Sequence, residues 1–517
     1  MEVFMSRTTL TALSLAAAGL ALGAPVQAQQ SQDNMRVAII DLFATADPYV
    51  YPQNEAAMFH RSIYQALVGY DERAGKYVPL IAKSWKRVNP TTLEFELRDD
   101  LVFHSGNRLT ADDVVYTTNF FADPKVKIRF KGRYDWLHPV EKLGPYKVRI
   151  VSKEPFASDL STVAYRFRVY DSKVHSAIED YESYGRVSAS GTGPYKLVSL
   201  DRNQGVALER FDNYKGAERQ PIRRVTGIPM PDEQTRIAQL LTGGIDVIHG
   251  LSADNAKGLL GNSKVSVTNV PSGRIGYITL DAAGRSANKV MTDIRVRQAM
   301  IMAIDRDTII KHIVPGGEVA EKPNAFCFDW TIDCSYTVKP VSHDPAKAKK
   351  LLAEAGYPNG FDLVVDVHEE HRRTAEAISG ELRAVGIRAT VAAHQQSVYT
   401  RRRGQGEFTF FYGAYPTSTH PDVTNLLDFY FGADRDYYND PIIHKAAKDG
   451  VVELDDEKRL AIFRTAIDRV NEMSYIMPFT SLPASMGHGT NVKVFTDLYS
   501  PTQVTINGLA WSDYKGK

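Results

Sequence analysis

His368, Glu369, Glu370 and His371 stand in one run and are the residue types of a metal-assisted hydrolase. That chemistry places two histidines four apart on one helical face, with a glutamate beside the first to polarise metal-bound water. Here the histidines are three apart, and the run reads as the charged start of a helix behind a strand. Ser286, Ala287, Asn288 and Lys289 match a four-residue nucleophile pattern of penicillin-binding enzymes but lack its Lys-Thr-Gly companion. Gly191-Thr192-Gly193 runs into Pro194 and not into dinucleotide-loop spacing, and no Walker-type loop or Gly-x-Ser-x-Gly elbow occurs. Cys327 and Cys334 are the only cysteines, in a Pro- and aromatic-rich loop with no histidine at ligand spacing. They point to a structural disulfide, which would contribute about 2–3 kcal/mol on the chain-entropy model. None of these patterns assembles a catalytic set, so neither enzymatic activity nor a cofactor is expected.

The elements that frame these residues alternate between strand and capped helix. Leu93, Phe95 and Leu97 alternate with Glu94, Glu96 and Arg98, the pattern of a strand with one buried face. Thr110 then opens a helix with Asp113 three residues on, a capping-box spacing. Asp232 to Leu241 reads as a helix stopped by Gly243 and Gly244 before the strand Ile245 to Ile248. Val296, Ala299, Met300 and Ala303 recur at helical spacing after Asp293, which predicts one helix to about His312. Asp344 as cap, Pro345 at the first helical position and Gly356 beyond the last turn define another, followed by a strand from Phe361 to Val367. Helix and strand in alternation predict an α/β fold.

Lys plus Arg number 62 against 61 Asp plus Glu, a formal charge of +1, so nucleic acid and lipid surfaces are not the expected partners. Leu10 to Ala24 is apolar but shorter than the roughly 20 residues that span a bilayer. Val26 and Ala28 occupy the small-residue positions read by signal peptidase, so residues 1–28 are read as a signal peptide cleaved after Ala28. If synthesis starts at Met5, Glu2 is removed and the basic flank of Arg7 is restored. The remaining chain of about 490 residues exceeds one ordinary core and predicts two or more lobes. An oxidising periplasm permits the disulfide.

Nine segments occur in a telling order: QALVGY (65–70), YVPLIAKSW (77–85), TLEFELRDDLVFHSGNRLTADDVVYTTNFF (92–121), GTGPYKL (191–197), 211–216, 231–248, 293–305, 344–361 and Asn439 to Pro441. Together they resemble the landmarks of the extracytoplasmic solute-binding proteins, family 5, that serve peptide, nickel and opine ABC importers. The resemblance implies a two-lobed, hinged periplasmic binding protein with an extra subdomain in its first lobe. By analogy, residues 29–70, 188–280 and 487–517 form the first lobe, 71–187 its inserted subdomain and 281–486 the second lobe. Chain crossings are expected near Thr279 to Asp281 and near Pro483 to His488. The implied function is capture of a small solute, peptides first, and delivery to an inner-membrane ABC permease with its ATPase subunits by a monomeric protein. Opines, oligosaccharides and metal chelates are the alternative solutes, and a periplasmic hydrolase or a chaperone-like protein the alternatives of another class.

Solute identity falls to residues 401–428. In peptide-binding members of the family a Gly-Trp pair leads to an aspartate that holds the peptide ammonium; aligning Gly413 and Pro421 puts Ala414 at the tryptophan and Thr417 at the aspartate. A threonine cannot replace that charge, so either Asp422 takes over or the solute lacks such an amine. Tyr412, Tyr415 and His420 are candidates for stacking and hydrogen bonding, with packing of the cleft wall as the other reading of the tyrosines. Arg401, Arg402 and Arg403 precede them where the family often carries an arginine for a solute carboxylate; Arg402 and Arg403 are the candidates. Phe43, Ala44 and Thr45, before Asp47-Pro48, lie where the family offers main-chain hydrogen bonds.

Overall fold

The computed structural model describes residues 33–50, 54–128, 130–186, 188–218, 220–417, 420–500 and 504–515, so the expected signal peptide, 1–28, lies outside the described residues. Two large sheets organise the chain. The first has seven strands in the order 265–270, 484–489, 247–249, 34–39, 224–229, 205–210 and 195–201. At its centre Asn34–Ile39 runs parallel to both neighbours, Arg224–Pro229 and Val247–His249. The second has five, in the order 388–394, 362–368, 410–416, 274–280 and 476–481. Residues between 82 and 151, within the segment expected to be inserted, form a separate four-stranded sheet, 82–89, 92–97, 147–151 and 141–144.

These sheets place the crossings earlier than expected. The strand Arg274–Leu280, expected before the boundary at 280, pairs inside the second sheet with Phe410–Pro416 and Ile476–Ser481. Ala484–Gly489, divided by the expected boundary at 486, pairs wholly inside the first. The chain therefore passes between sheets at 271–273 and at 482–483. The two passages are tied: Ser272 Oγ donates to the Leu482 carbonyl at 2.5 Å, and Leu482 N–H donates to the Arg274 carbonyl at 2.7 Å.

Local chemistry accounts for most elements. Leu93, Phe95 and Leu97 are buried as the alternation requires, but Glu94 is buried too, held by Arg149 at 2.8 Å and Lys147 at 3.1 Å. The helix Ala111–Ala122 carries the capping box, with Thr110 N–H donating to Asp113 at 2.8 Å. The stripe from Val296 breaks into two helices, Ile294–Ala303 and Arg306–His312, because Asp305 caps a new turn through Thr308 N–H at 3.1 Å. The expectation of one continuous helix missed that internal cap. Gly191 and Gly193 run against the end of the helix Asn54–Ile63: a Cβ on either would meet a backbone carbonyl at 2.1 or 2.3 Å. That close approach, and not phosphate binding, is what the glycine pair does.

One apolar core joins the inserted segment to the first sheet, running through Val37, Phe59, Phe95, Phe121, Val148, Tyr170, Leu208 and Trp511. The second sheet is packed on both faces. Ile278, Met300, Ile378, Tyr412 and Phe479 lie on one side, and Tyr277, Phe326, Phe411, Tyr430 and Phe463 on the other.

Candidate functional site

The helix Asp159–Arg166 of the inserted segment faces the helix Val423–Phe431 of the second lobe. Ser161 Oγ lies 2.8 Å from Asp422 Oδ2 and 3.1 Å from His420 Nε2, Ser158 Oγ lies 3.1 Å from Thr424 Oγ1, and Ala157 N–H donates to the Val451 carbonyl at 2.8 Å. Asp422 also caps its own helix, accepting from Thr424 N–H at 2.9 Å. Both lobes are thus in contact along a buried polar seam. His420 is held neutral, its pKa pushed well below the usual value by burial and then by the nearby charges of Arg166 and Arg133.

Beside this seam lies a cluster of arginine and aromatic groups. Arg166 donates to Asn425 Oδ1 at 3.1 Å, and Asn425 Nδ2 donates to the Tyr415 hydroxyl at 2.6 Å. The Tyr415 ring lies 3.8 Å from that of Phe429, and the guanidinium carbons of Arg403 and Arg435 lie 5.1 and 5.5 Å from the same Phe429 ring. Arg403 donates to the Tyr277 hydroxyl at 3.3 Å. Burial pushes the Tyr415 phenol up, opposed by the Asn425 bond and by the positive charges of Arg166, Arg133 and Arg435. Burial likewise pulls Arg166 and Arg168 down to about 10. Among the described residues no carboxylate lies within 4.0 Å of the guanidinium nitrogens of Arg166, Arg168 or Arg403. The Nε atoms of Arg403 and Arg435 are buried and have no hydrogen-bond partner among the described residues.

Of the residues singled out in the sequence, Arg403 and Tyr415 lie in this cluster, and His420 and Asp422 form the seam next to it. Thr417 is fully buried, and its hydroxyl has no hydrogen-bond partner among the described residues. Arg402, one position from Arg403 on the helix Gln396–Gly404, turns to Glu407 at 2.7 Å and does not join them. Tyr412 is buried against Phe479 and His371, in the packed face of the second sheet. Phe43 packs on Phe59 and His60, the Thr45 hydroxyl donates to the Tyr184 carbonyl, and Ala44 is exposed. Asp47 lies fully buried behind them, bonded to Tyr170 and to two backbone N–H groups, and burial raises its pKa to about 6. The run from His368 is occupied by ion pairs: Glu370 takes Arg274 at 2.7 Å and Glu369 takes Arg372 at 2.7 Å. Cys327 and Cys334 are bridged.

Sequence reasoning passed over Ser161, Arg166, Asn425, Phe429 and Arg435. The alternation Tyr165-Arg166-Phe167-Arg168 was the available signal, cations set among aromatics, but without the fold nothing marks it as facing residue 425.

Comparison with known proteins agrees with this architecture. The model for the bacterial extracellular solute-binding proteins, family 5 middle region, matches residues 76–437, more than two-thirds of the chain. The chain belongs to this family. The family 5 protein is 25% identical over 483 residues to the glutathione-binding protein GsiB of Pectobacterium atrosepticum, covering 90% of this chain and 92% of the relative. Its fold matches CtaP of Listeria monocytogenes, an ABC transporter substrate-binding protein, with TM-score 0.80 at 19% identity over 93% and 99% of the two chains. It also matches NikA of Brucella suis, solved with Fe(III)-EDTA, with TM-score 0.79 at 22% identity over 93% and 100%. Like its relatives, this family 5 protein is a two-lobed solute-binding component of an ABC import system.

Proposed function

We propose that this protein captures a small peptide-like solute between its lobes, at the surface formed by Tyr415, Arg403 and Arg166, and presents the closed form to its permease. The observation that carries this reading is the seam of Ser158 and Ser161 against Asp422 and Thr424, which joins the two lobes directly beside that cluster. A solute touching both sides favours the closed state by its differential affinity for closed over open. The paired passages at 271–273 and 482–483 serve as the hinge. A peptide is favoured by the curated relative's name, glutathione-binding, since glutathione is a tripeptide. The protein performs no chemistry on the solute, works as a monomer, and reaches the periplasm by cleavage after Ala28.

The test is a thermal-shift series on the purified mature protein with di- to pentapeptides, then sugars, opines and nickel chelates. A bound solute at 100 times its dissociation constant adds about 2.7 kcal/mol of stability. Small-angle scattering of the same samples reads closure. A shift with sugars alone and none with peptides overturns the peptide reading; a shift without compaction overturns the hinge.

A further inference from the structure

A hollow of about 900 Å³ lies on the second lobe, apart from the seam. Its floor is the part of the second sheet's face that the core around Tyr277 and Phe411 leaves uncovered. Asp362, Val364 and Asp366 supply it from one strand, in register with Arg388, Thr390 and Ala392 on the next. Leu363, Val365 and Val367 turn to the opposite face and its core, so alternation puts the other three in the hollow. Its walls are the loop at 287–288 and the end of the helix Gln396–Gly404, where Arg402 and Glu407 stand. Small-molecule sites occupy about 300–1,000 Å³, and this hollow falls in that range. We infer that it binds a small primary amine, with the ammonium on Asp366 and Glu407 and an apolar body over Val364 and Ala392. Every lining residue belongs to the second lobe, so the site depends neither on closure nor on the solute.

Asp366 is 4% exposed, and its two oxygens differ. Oδ1 lies 2.7 Å from His394 Nε2 and 3.9 Å from Arg402, while Oδ2 has no hydrogen-bond partner among the described residues. The His394 ring stacks on Phe408 at 5.5 Å and the Arg402 guanidinium lies 5.3 Å from the same ring, so Phe408 holds both on the Oδ1 side. Arg402 also gives its Nε to Glu407 at 2.7 Å. One guanidinium thus faces two carboxylates. Burial raises the Asp366 pKa, and the negative charge of Glu407 acts in the same sense, against the His394 bond and the charges of His394 and Arg402. An ammonium at Oδ2 supplies the missing charge and the missing donors together. A carboxylate meets repulsion there, and an alcohol brings no charge. At the other end Arg388 pairs with Asp362 at 2.6 Å, and Arg383 donates to the Ala389 carbonyl at 2.9 Å. Ala389 stands three residues before Ala392, the register partner of Asp366, about 10 Å of strand away, so these cations do not occupy the place of the ammonium. Val364 lies between the two ends and is 46% exposed, and an apolar body laid on it takes that surface out of water.

The test is methyl NMR on the mature protein, following the Val364 signals during titration with isoamylamine. Isoamyl alcohol, isovalerate and methylamine are the comparisons. Isoamylamine should shift the signals to saturation. The alcohol, the acid and methylamine, which has no apolar body, should each bind at least about tenfold more weakly, the loss for one missing contact. Calorimetry with isoamylamine then reads the variants. Asp366→Asn should weaken binding about tenfold or more. Val364→Lys, which brings an ammonium of its own into the hollow from an exposed position, should abolish binding while circular dichroism shows the fold intact. Where Asp366→Asn fails to fold, Val364→Lys alone decides. Equal affinity for amine and alcohol overturns the ammonium assignment. Amine binding that survives Val364→Lys puts the amine elsewhere and overturns the site, as does the absence of saturation by about 10 mM amine. None of these outcomes bears on solute capture in the cleft.

Discussion

Ser161 and Asp422, 261 positions apart in the sequence, share a hydrogen bond of 2.8 Å in which the serine donates to the carboxylate. The serine belongs to the inserted segment and the aspartate to the second lobe, so the bond exists only when the two meet. A hydrogen bond to a charged group contributes about 1.5–3 kcal/mol in favourable cases. Ser161→Ala should therefore raise the solute dissociation constant about tenfold, chiefly through faster release, while Asp422 still caps its helix. Stopped-flow release rates check this; an unchanged rate would detach the seam from closure.

Tyr412 and Tyr415 are three residues apart on one strand and face different surroundings. The Tyr412 hydroxyl is buried without a partner among the described residues, close to where a Cβ on Gly276 would lie, at 2.2 Å. Removing an unpartnered buried hydroxyl is neutral or stabilising, so Tyr412→Phe should keep or raise the melting temperature and leave solute affinity within about twofold. Gly276→Ala should be strongly destabilising, and less so in the Tyr412→Phe background. Tyr415→Phe removes the acceptor of Asn425 and should weaken solute binding. Equal effects of the two phenylalanine variants on affinity would place both tyrosines at the solute.

What could be read from the sequence divides along physical lines. Local signals carried well: the caps at Thr110 and Asp344 and the short loop between Cys327 and Cys334 depend on neighbours within a few residues. The sheet boundary did not, because Arg274–Leu280 is a plain apolar strand whose pairing partners lie more than a hundred residues on. Arg402 and Arg403 illustrate the same limit at the site. Both are arginines at the right place in the chain, yet adjacent helical positions point about 100° apart, and only one reaches Phe429.

Acid should destabilise the protein before neutral pH gives way to strongly acidic conditions. Burial lowers His60 to about 3, His104, His175 and His371 to about 4, and His420 well below its usual value. Unfolded, these five histidines take up protons near pH 6.5 while the folded protein refuses them, so stability is lost as pH falls from about 6.5 toward 4. Asp47, raised to about 6, and Glu218, raised to about 7, act in the opposite sense, since the folded state holds their protons longer. Burial lowers His249 and His488 as well and raises Glu72, Asp159, Glu321, Asp333 and Asp366 by smaller amounts, so the histidines govern this interval and urea midpoints should fall between pH 7 and pH 5. A midpoint that rises over that interval would show the acids to dominate.

The bridge between Cys327 and Cys334 also acts at a distance from its own loop. Ile332, inside the bridged loop, donates its N–H to the Pro421 carbonyl at 2.9 Å and accepts from Val423 N–H at 3.1 Å, so the loop clasps Asp422 on both sides. Asp333 adds an ion pair to Arg459 at 2.8 Å, which fixes the loop to the helix Asp456–Glu472. Closing so short a loop contributes about 2–3 kcal/mol through the unfolded chain. Paired Cys327→Ala and Cys334→Ala substitution should lower the urea midpoint accordingly. It should also raise the solute dissociation constant severalfold, because Asp422 loses the clasp that aims it at Ser161. The second effect separates the two roles of the bridge: chain entropy alone changes stability and leaves affinity untouched, so an unaltered dissociation constant in the destabilised variant would remove the clasp from the account of closure.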